Sequence, residues 1–339
     1  MNRPTSAVLI ALVAAAAVPA AAHATLVYDK NVPTAKPSVY VAKDDASSPR
    51  RLGAGRSPDL SPDGRTVAWE GANFSKPTLV VASTTGAATP RTLLTDYRSQ
   101  GLAVAWSPDS TAIAAMVGPE IKARTLVIAN VATGARTTVG KGFFGSASFS
   151  PAGDQLVYAK GAKDDFRYDL YRYDLATGKT TKLTTDRRAQ SPLWGPKGIV
   201  FTRLVDASVR KYGPKGELYT ISPAGKSLKR LTSQPVASLL FGLSATQFSA
   251  DGTRLLGQFT GQDTSYAQVV DPATGKVRTL GKAEETGYEG YALSRNGSTV
   301  LAATGGFDPS GPHDIVTVPY AGGPAKLLVK NAFRADWDR

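Results

Sequence analysis

Ser61-Pro62-Asp63-Gly64 decides the fold because it comes back along the chain. It recurs as Ser107-Pro108-Asp109-Ser110, Ser150-Pro151-Ala152-Gly153, Gly195-Pro196-Lys197-Gly198, Ser249-Ala250-Asp251-Gly252 and Ser294-Arg295-Asn296-Gly297. Pro presets φ for the first turn position, Asp or Asn tolerates the second, and Gly supplies the left-handed conformation that closes a hairpin. A large apolar residue stands just before each copy: Leu60, Trp106, Phe149, Trp194, Phe248 or Leu293. The second positions of the motif are spaced by 46, 43, 45, 54 and 45 residues. A period in the mid-forties with strand-rich content marks a radial array of small β-sheets rather than a helical solenoid.

Working outward from each turn, a short β-branched or apolar strand follows, as in Thr66-Val67-Ala68-Trp69, Leu156-Val157-Tyr158 and Ile199-Val200-Phe201. A third strand comes next, such as Thr78-Leu79-Val80-Val81 or Asp169-Leu170-Tyr171-Arg172-Tyr173. It runs into a second tight turn, for example Ala176-Thr177-Gly178, and a fourth strand such as Thr181-Lys182-Leu183-Thr184. Strands of four to six residues between Gly, Pro and Asp turns read as β, with no competing helical period.

The two ends complete each other. Thr25-Leu26-Val27-Tyr28, Ser38-Val39-Tyr40-Val41 and Arg50-Arg51-Leu52 read as second, third and fourth strands with no first strand ahead of them. Arg334-Ala335-Asp336-Trp337-Asp338 reads as a first strand with nothing after it. The expectation is an all-β, seven-bladed β-propeller of four-stranded antiparallel blades, closed by a split blade from both termini. Six blades is the alternative, if the N-terminal strands dock differently. Closure hides the strand edges that otherwise invite aggregation.

The Ser-Pro-Asp-Gly turns after an aromatic residue, with fourth strands ending at Leu94-Thr95, Leu183-Thr184 and Leu231-Thr232, resemble the WD40-like repeat of the TolB propeller family. The resemblance covers nearly the whole chain after residue 24 and implies the fold and an export address. TolB itself carries an α/β domain ahead of its propeller and is a periplasmic partner of a peptidoglycan-associated lipoprotein. The present sequence is expected to pass directly from a leader into its first propeller strand.

That leader is residues 1–24. Arg3 supplies a basic start, Ala7 to Ala22 an apolar Ala-rich middle, and Ala22-His23-Ala24 a cleavage site with small residues at its two read positions. Residues 25–339 are then one propeller domain, exported to the periplasm or the medium, and no later segment has the apolar length of a spanning helix. Cys is absent, so neither disulfides nor thiolate chemistry is available. After loss of Arg3 the chain keeps 39 basic against 27 acidic residues, a net charge of +12. Such a balance suits an anionic partner outside the cell or simply solubility. Nucleic acid is not expected, since no aromatic-interleaved basic module occurs.

Chemistry is hard to find. His23 leaves with the leader and only His313 remains, in Ser310-Gly311-Pro312-His313-Asp314, which reads as a surface loop. Lyases of oligogalacturonides, which have similar seven-bladed propellers, need a cluster of His around a metal, and one His cannot supply it. No G-x-S-x-G elbow occurs. Asp44-Asp45, Asp164-Asp165 and Glu284-Glu285 read as solvated loop charges. No metal site and no cofactor are expected.

Binding is expected on the loops between second and third strands and on the linkers between blades, which share one face. Those linkers bring aromatic residues and Arg together, as Tyr97, Arg98, Arg187, Arg188, Tyr288 and Arg334, with Glu289 beside Tyr288. This is the composition of interface anchors, although Phe143, Phe144 and Phe333 could equally seal neighbouring blades. The expanded blade after Trp194 adds Arg203, Arg210, Lys211 and Tyr212. The reading is a monomeric, non-enzymatic binding or scaffold module for an envelope or extracellular protein or an anionic polymer. The alternative is a metal-independent carbohydrate-active enzyme with carboxylates in the central channel, where Tyr288, Glu289 and Asp336 are the candidates.

Overall fold

The computed structural model describes residues 25–30, 37–73, 75–86, 89–97, 104–118, 123–163, 165–206, 215–236, 240–262, 264–281, 287–305 and 313–338. The described chain opens with β1 (Thr25–Lys30), β2 (Ser38–Lys43), β3 (Arg50–Leu60), β4 (Thr66–Gly71), β5 (Thr78–Ser83) and β6 (Arg91–Thr95). Next come β7 (Ala105–Trp106), β8 (Ala112–Val117), β9 (Arg124–Asn130), β10 (Arg136–Phe149), β11 (Gln155–Gly161), β12 (Asp169–Asp174) and β13 (Thr180–Lys182). A third group is β14 (Ala189–Gly195), β15 (Gly198–Asp206), β16 (Lys215–Ile221), β17 (Lys229–Arg230), β18 (Leu240–Phe248), β19 (Leu255–Gly261), β20 (Ser265–Val270) and β21 (Val277–Thr279). The last are β22 (Glu289–Leu293), β23 (Thr299–Ala303), β24 (Ile315–Pro319), β25 (Lys326–Val329) and β26 (Ala332–Trp337). No helix occurs among the described residues.

Paired strands run antiparallel, and among the described residues the one parallel contact joins Gly216 to Gly242. Two long strands serve two sheets each. The first half of β3 pairs with β2 and its second half with β4; β10 does the same between β9 and β11. The switch in β3 falls on Gly55, at φ +144°, where a Cβ would lie 2.3 Å from the Glu70 carbonyl oxygen and the Trp69 ring. Only glycine fits there. Strands β1 and β26 pair in one sheet: Leu26 stands opposite Trp337 and Tyr28 opposite Ala335, with β2 on the other side of β1.

Period-two alternation builds the core between successive sheets. Leu26 and Tyr28 face Leu301, Ile315, Phe333 and Trp337, while Val27 between them faces Val39, Leu60, Val67 and Trp69. Trp69, Tyr28, Phe201 and Leu156 are among the largest fully buried side chains. Each such side chain contributes roughly 1.5–3 kcal/mol by leaving water.

The recurring turns carry more than their backbone. Ser61 is fully buried; its hydroxyl donates to Asp63 Oδ1 (2.6 Å) and accepts the Thr66 N–H (2.9 Å). Gly64, at φ +70°, donates its N–H to the Ser61 carbonyl (2.8 Å). The same knot forms at Ser107 with Asp109, Ser249 with Asp251, and Ser294 with Asn296. Bonds from Ser249 and Thr253 hold the Asp251 carboxyl down at about 2. Where Ala152 supplies no carboxylate, Asp154 takes its place on Ser150 (2.8 Å).

Candidate functional site

At the opposite end of the strands, the linker from β13 to β14 is fastened by one buried carboxylate. Asp169 begins β12 and is 4 % exposed. Its Oδ1 accepts the Thr184 hydroxyl (3.2 Å) and the Arg187 backbone N–H (2.9 Å), and Lys182 Nζ lies 2.9 Å from Oδ2. The Thr184 hydroxyl in turn accepts the Leu170 N–H (2.9 Å). The next sheet unit repeats this clamp with Glu217: Thr232 and the Gln234 N–H (2.9 Å) donate to it, and Thr232 accepts the Leu218 N–H (3.0 Å). Thus the Leu-Thr ends at 183–184 and 231–232 bridge the third strand to the linker.

The clamp sets Arg187 in a left-handed conformation, φ 53°. For a non-glycine residue this costs about 1–2 kcal/mol, and it persists because the surroundings over-determine it. Its guanidinium pairs with Asp165 at 2.7 Å. Asp165 also accepts the Arg167 N–H (3.2 Å), the Gln190 amide donates to the Phe166 carbonyl, and the Ala189 N–H donates to the Tyr168 carbonyl (3.0 Å). Linker and loop are thereby braced together. Their tip is Phe166, at φ 54° and 65 % exposed. Beside it Arg188 is exposed and Arg167 half-buried, and neither guanidinium has a hydrogen-bond or ion-pair partner among the described residues. Arg203 completes the rim, paired with Asp186 and lying 5.2 Å over the Tyr219 ring.

The expected site residues therefore divide. Arg187, Arg188 and Arg203 share this rim. Arg98, Arg210, Lys211 and Tyr212 lie outside the described residues. Tyr97 does not belong on a binding surface: it is 4 % exposed, packs with Leu79, Leu94 and Trp106, and bridges Val117. Burial, with the charges of Asp59 and Glu70, pushes its hydroxyl well up. Phe144 and Phe333 are likewise core residues.

Tyr288, Glu289 and Arg334 fall in a second place, where β1, β3, β22 and β26 meet. Tyr288 is half-buried against the core. The first strand of each of several units carries a register shift at one shared position, as between Arg56 and Asp59, between Gln190 and Leu193, and around Arg334. Such bulges redirect side chains. Ser57 (φ 55°), Ser191 (φ 44°) and Arg334 (φ 38°) occupy them. Arg334 donates to the Ser57 hydroxyl (3.0 Å) and lies 5.1 Å over the Phe333 ring, and the Ser57 N–H donates to Asp29 (2.8 Å). Asp29 is fully buried and its other oxygen has no hydrogen-bond partner among the described residues. Burial pushes its carboxyl up to about 7 despite the nearby Arg334 and Arg56. Burial also raises Glu289, whose carboxylate accepts the Tyr291 hydroxyl at 3.3 Å.

Two further expectations change. Asp336 accepts the backbone N–H groups of Leu60 (2.9 Å) and Trp337 (3.0 Å), so it ties β26 to β3 instead of facing an open channel. His313 is not a surface loop residue. It is 4 % exposed, its ring lies 4.3 Å from the Phe333 ring at a tilt of 32°, its Nδ1 lies 2.6 Å from the Thr304 carbonyl oxygen, and its own carbonyl accepts the Ala332 N–H of β26 (2.9 Å). No group of three or more His, Asp or Glu among the described residues could hold a metal ion. Phe166 and Asp169 went unmarked in the sequence, although an aromatic residue among charges in Asp165-Phe166-Arg167 is a readable signal.

No family model matches the sequence, and no curated protein sequence matches it. Solved structures do. TolB from Acinetobacter baumannii is 20 % identical with a TM-score of 0.56, over 89 % of this chain and 79 % of that one. The β-propeller domain of the Trilobed protease from Pyrococcus furiosus, described as having an open velcro topology, gives 14 % and 0.65 over 91 % and 94 %. An acylaminoacyl peptidase from Pyrococcus horikoshii gives 13 % and 0.64 over 91 % of this chain but only 51 % of its own. At such identities the likeness extends to the fold alone, and that fold is an all-β propeller built of consecutive antiparallel sheets.

Proposed function

We propose that this chain is an exported, non-enzymatic binding or scaffold propeller that recognises a protein or an anionic polymer of the envelope through its rim. The observation that carries the reading is the braced linker at Arg187 and Arg188. A buried carboxylate and an ion pair hold the backbone in a conformation that costs energy, while Arg188 is exposed and has no partner among the described residues. Rigid presentation of Arg beside an aromatic residue lowers the ordering cost of association.

The architecture behind the rim is read as seven four-stranded units, with β26, β1, β2 and the first half of β3 as the shared unit that closes the ring. In its support, the apolar residues separate into seven clusters among the described residues, each between consecutive units, and one of them joins β22–β24 to β26 and β1. The export address is read from residues 1–24, which lie outside the described residues. A monomer is expected, and nucleic acid is not among the expected partners.

Affinity capture from the producing cell's envelope tests the reading. The wild-type chain should retain a partner that the Arg187→Glu, Arg188→Glu double variant loses. Turnover of a panel of acidic glycans, abolished by Glu289→Gln, would instead favour a hydrolytic site at the raised carboxyls of Asp29 and Glu289.

A further inference from the structure

Resting on that reading, we infer that Phe166, Arg167 and Arg188 form the docking surface for one class of partner: an acidic polypeptide segment bearing an aromatic or other apolar side chain. Phe166 is the most exposed of the large apolar side chains described, at 65 %. Its backbone is left-handed at φ 54°, a conformation that glycine or asparagine would take at lower cost. The conformation is enforced from three sides: by Asp165 on the Arg167 N–H, by the Arg187–Asp165 pair, and by the Gln190 amide on its own carbonyl. A braced, strained and exposed aromatic residue beside guanidinium groups matches the anchor chemistry of protein interfaces.

Charge and hydrogen-bonding capacity select the occupant. Across residues 163–167, 186–188 and 203 the sequence carries five basic and three acidic side chains. Asp165 and Asp186 are already paired with Arg187 and Arg203. Lys163, Arg167 and Arg188 then stand against Asp164 alone, so the surplus is positive. An acidic polysaccharide would need neutral donors and acceptors for its hydroxyl groups as well. Several nearby neutral groups are engaged internally, Gln190 on the Phe166 carbonyl, Thr184 between Asp169 and Leu170, and Tyr168 buried in the core, which leaves few, such as the exposed Thr185, to meet a sugar. The main feature of the available surface is an apolar ring flanked by guanidinium groups. A polypeptide can meet both, placing an apolar side chain on the ring and carboxylates on the guanidinium groups.

Fluorescence anisotropy of the full chain after residue 24 against a labelled random copolymer of Glu and Tyr tests this. Poly-glutamate, polygalacturonate and phosphatidylglycerol vesicles serve as competing polyanions. The Glu–Tyr copolymer should bind about tenfold more tightly than poly-glutamate, and Phe166→Gly should remove most of that margin. Because glycine relieves the left-handed strain, Phe166→Gly should melt no lower than wild type, so loss of binding cannot be ascribed to unfolding. Arg188→Glu should weaken both polypeptides about fivefold or more, and Phe166→Trp should retain the margin. Equal or tighter binding of polygalacturonate or of vesicles overturns the inference, as does a Phe166→Gly variant that still prefers Glu–Tyr. If all polyanions bind alike and only the Arg187→Glu, Arg188→Glu variant fails, the broader rim reading stands and the polypeptide assignment falls.

Discussion

At one end of the strands, Ser61, Ser107, Ser249 and Ser294 each donate to an Asp or Asn two residues on and each accept a backbone N–H five residues on. At the other end the solutions differ from unit to unit. Asp169 and Glu217 clamp two linkers, Asp314 accepts the Asn331 N–H (2.9 Å) in another, and Gln234 meets Gln268 (3.0 Å) in a third place. Chemistry repeated from unit to unit is explained by what those units share, a hairpin that must close. Chemistry that departs from the repeat points to what one unit does alone, and the outward Phe166 braced by the Arg187–Asp165 pair is such a departure.

The largest effect that can break this comparison is expected at Asp169. Asp169→Ala removes the acceptor for Thr184, Lys182 and the Arg187 N–H, and should cost about 3 kcal/mol in denaturant unfolding while also releasing the rim. If stability falls but envelope capture is unchanged, the clamp is architectural only. Next comes Asp29. Its carboxyl rises from 3.8 to about 7 on burial, so folding favours the protonated form. That contribution is complete below about pH 4 and is lost as pH rises through 7. Asp29→Asn should leave melting at pH 4 unchanged and raise Tm at pH 8 by about 3 °C. A difference that stays constant from pH 4 to 9 would remove Asp29 from the account.

Smaller and uniform losses are expected at the turns. Ser61→Ala, Ser107→Ala and Ser249→Ala should each cost about 1–2 kcal/mol and leave capture of a partner intact. Unequal costs would show that the turns are not equivalent after all. Smallest in stability is Arg188→Glu, within about 0.5 kcal/mol of wild type, which should nevertheless reduce partner capture. These two sets of variants separate scaffold from surface.

The repeat made the strands legible because turn chemistry is local: Pro, Asp and Gly dictate a hairpin from four residues. The pairing of β1 with β26 was legible too, since unmatched strands at two ends can satisfy each other. Tyr97 and His313 were misplaced because burial depends on what folds over a linker. Tyr97 bridges Val117 in the next sheet, and Phe333 covers His313 from β26. Neither neighbour is close in sequence.

What the sequence determined by itself was the all-β repeat, its turns and its basic surplus, because these follow from composition and from contacts a few residues apart. Only the tertiary structure decided that Asp169 reaches 18 residues along the chain to Arg187, that Asp29 is sealed beside Arg334, and that Phe166 is held outward. Desolvation and hydrogen-bond geometry across sheets govern those outcomes, and neither is written in the spacing of residues along the chain.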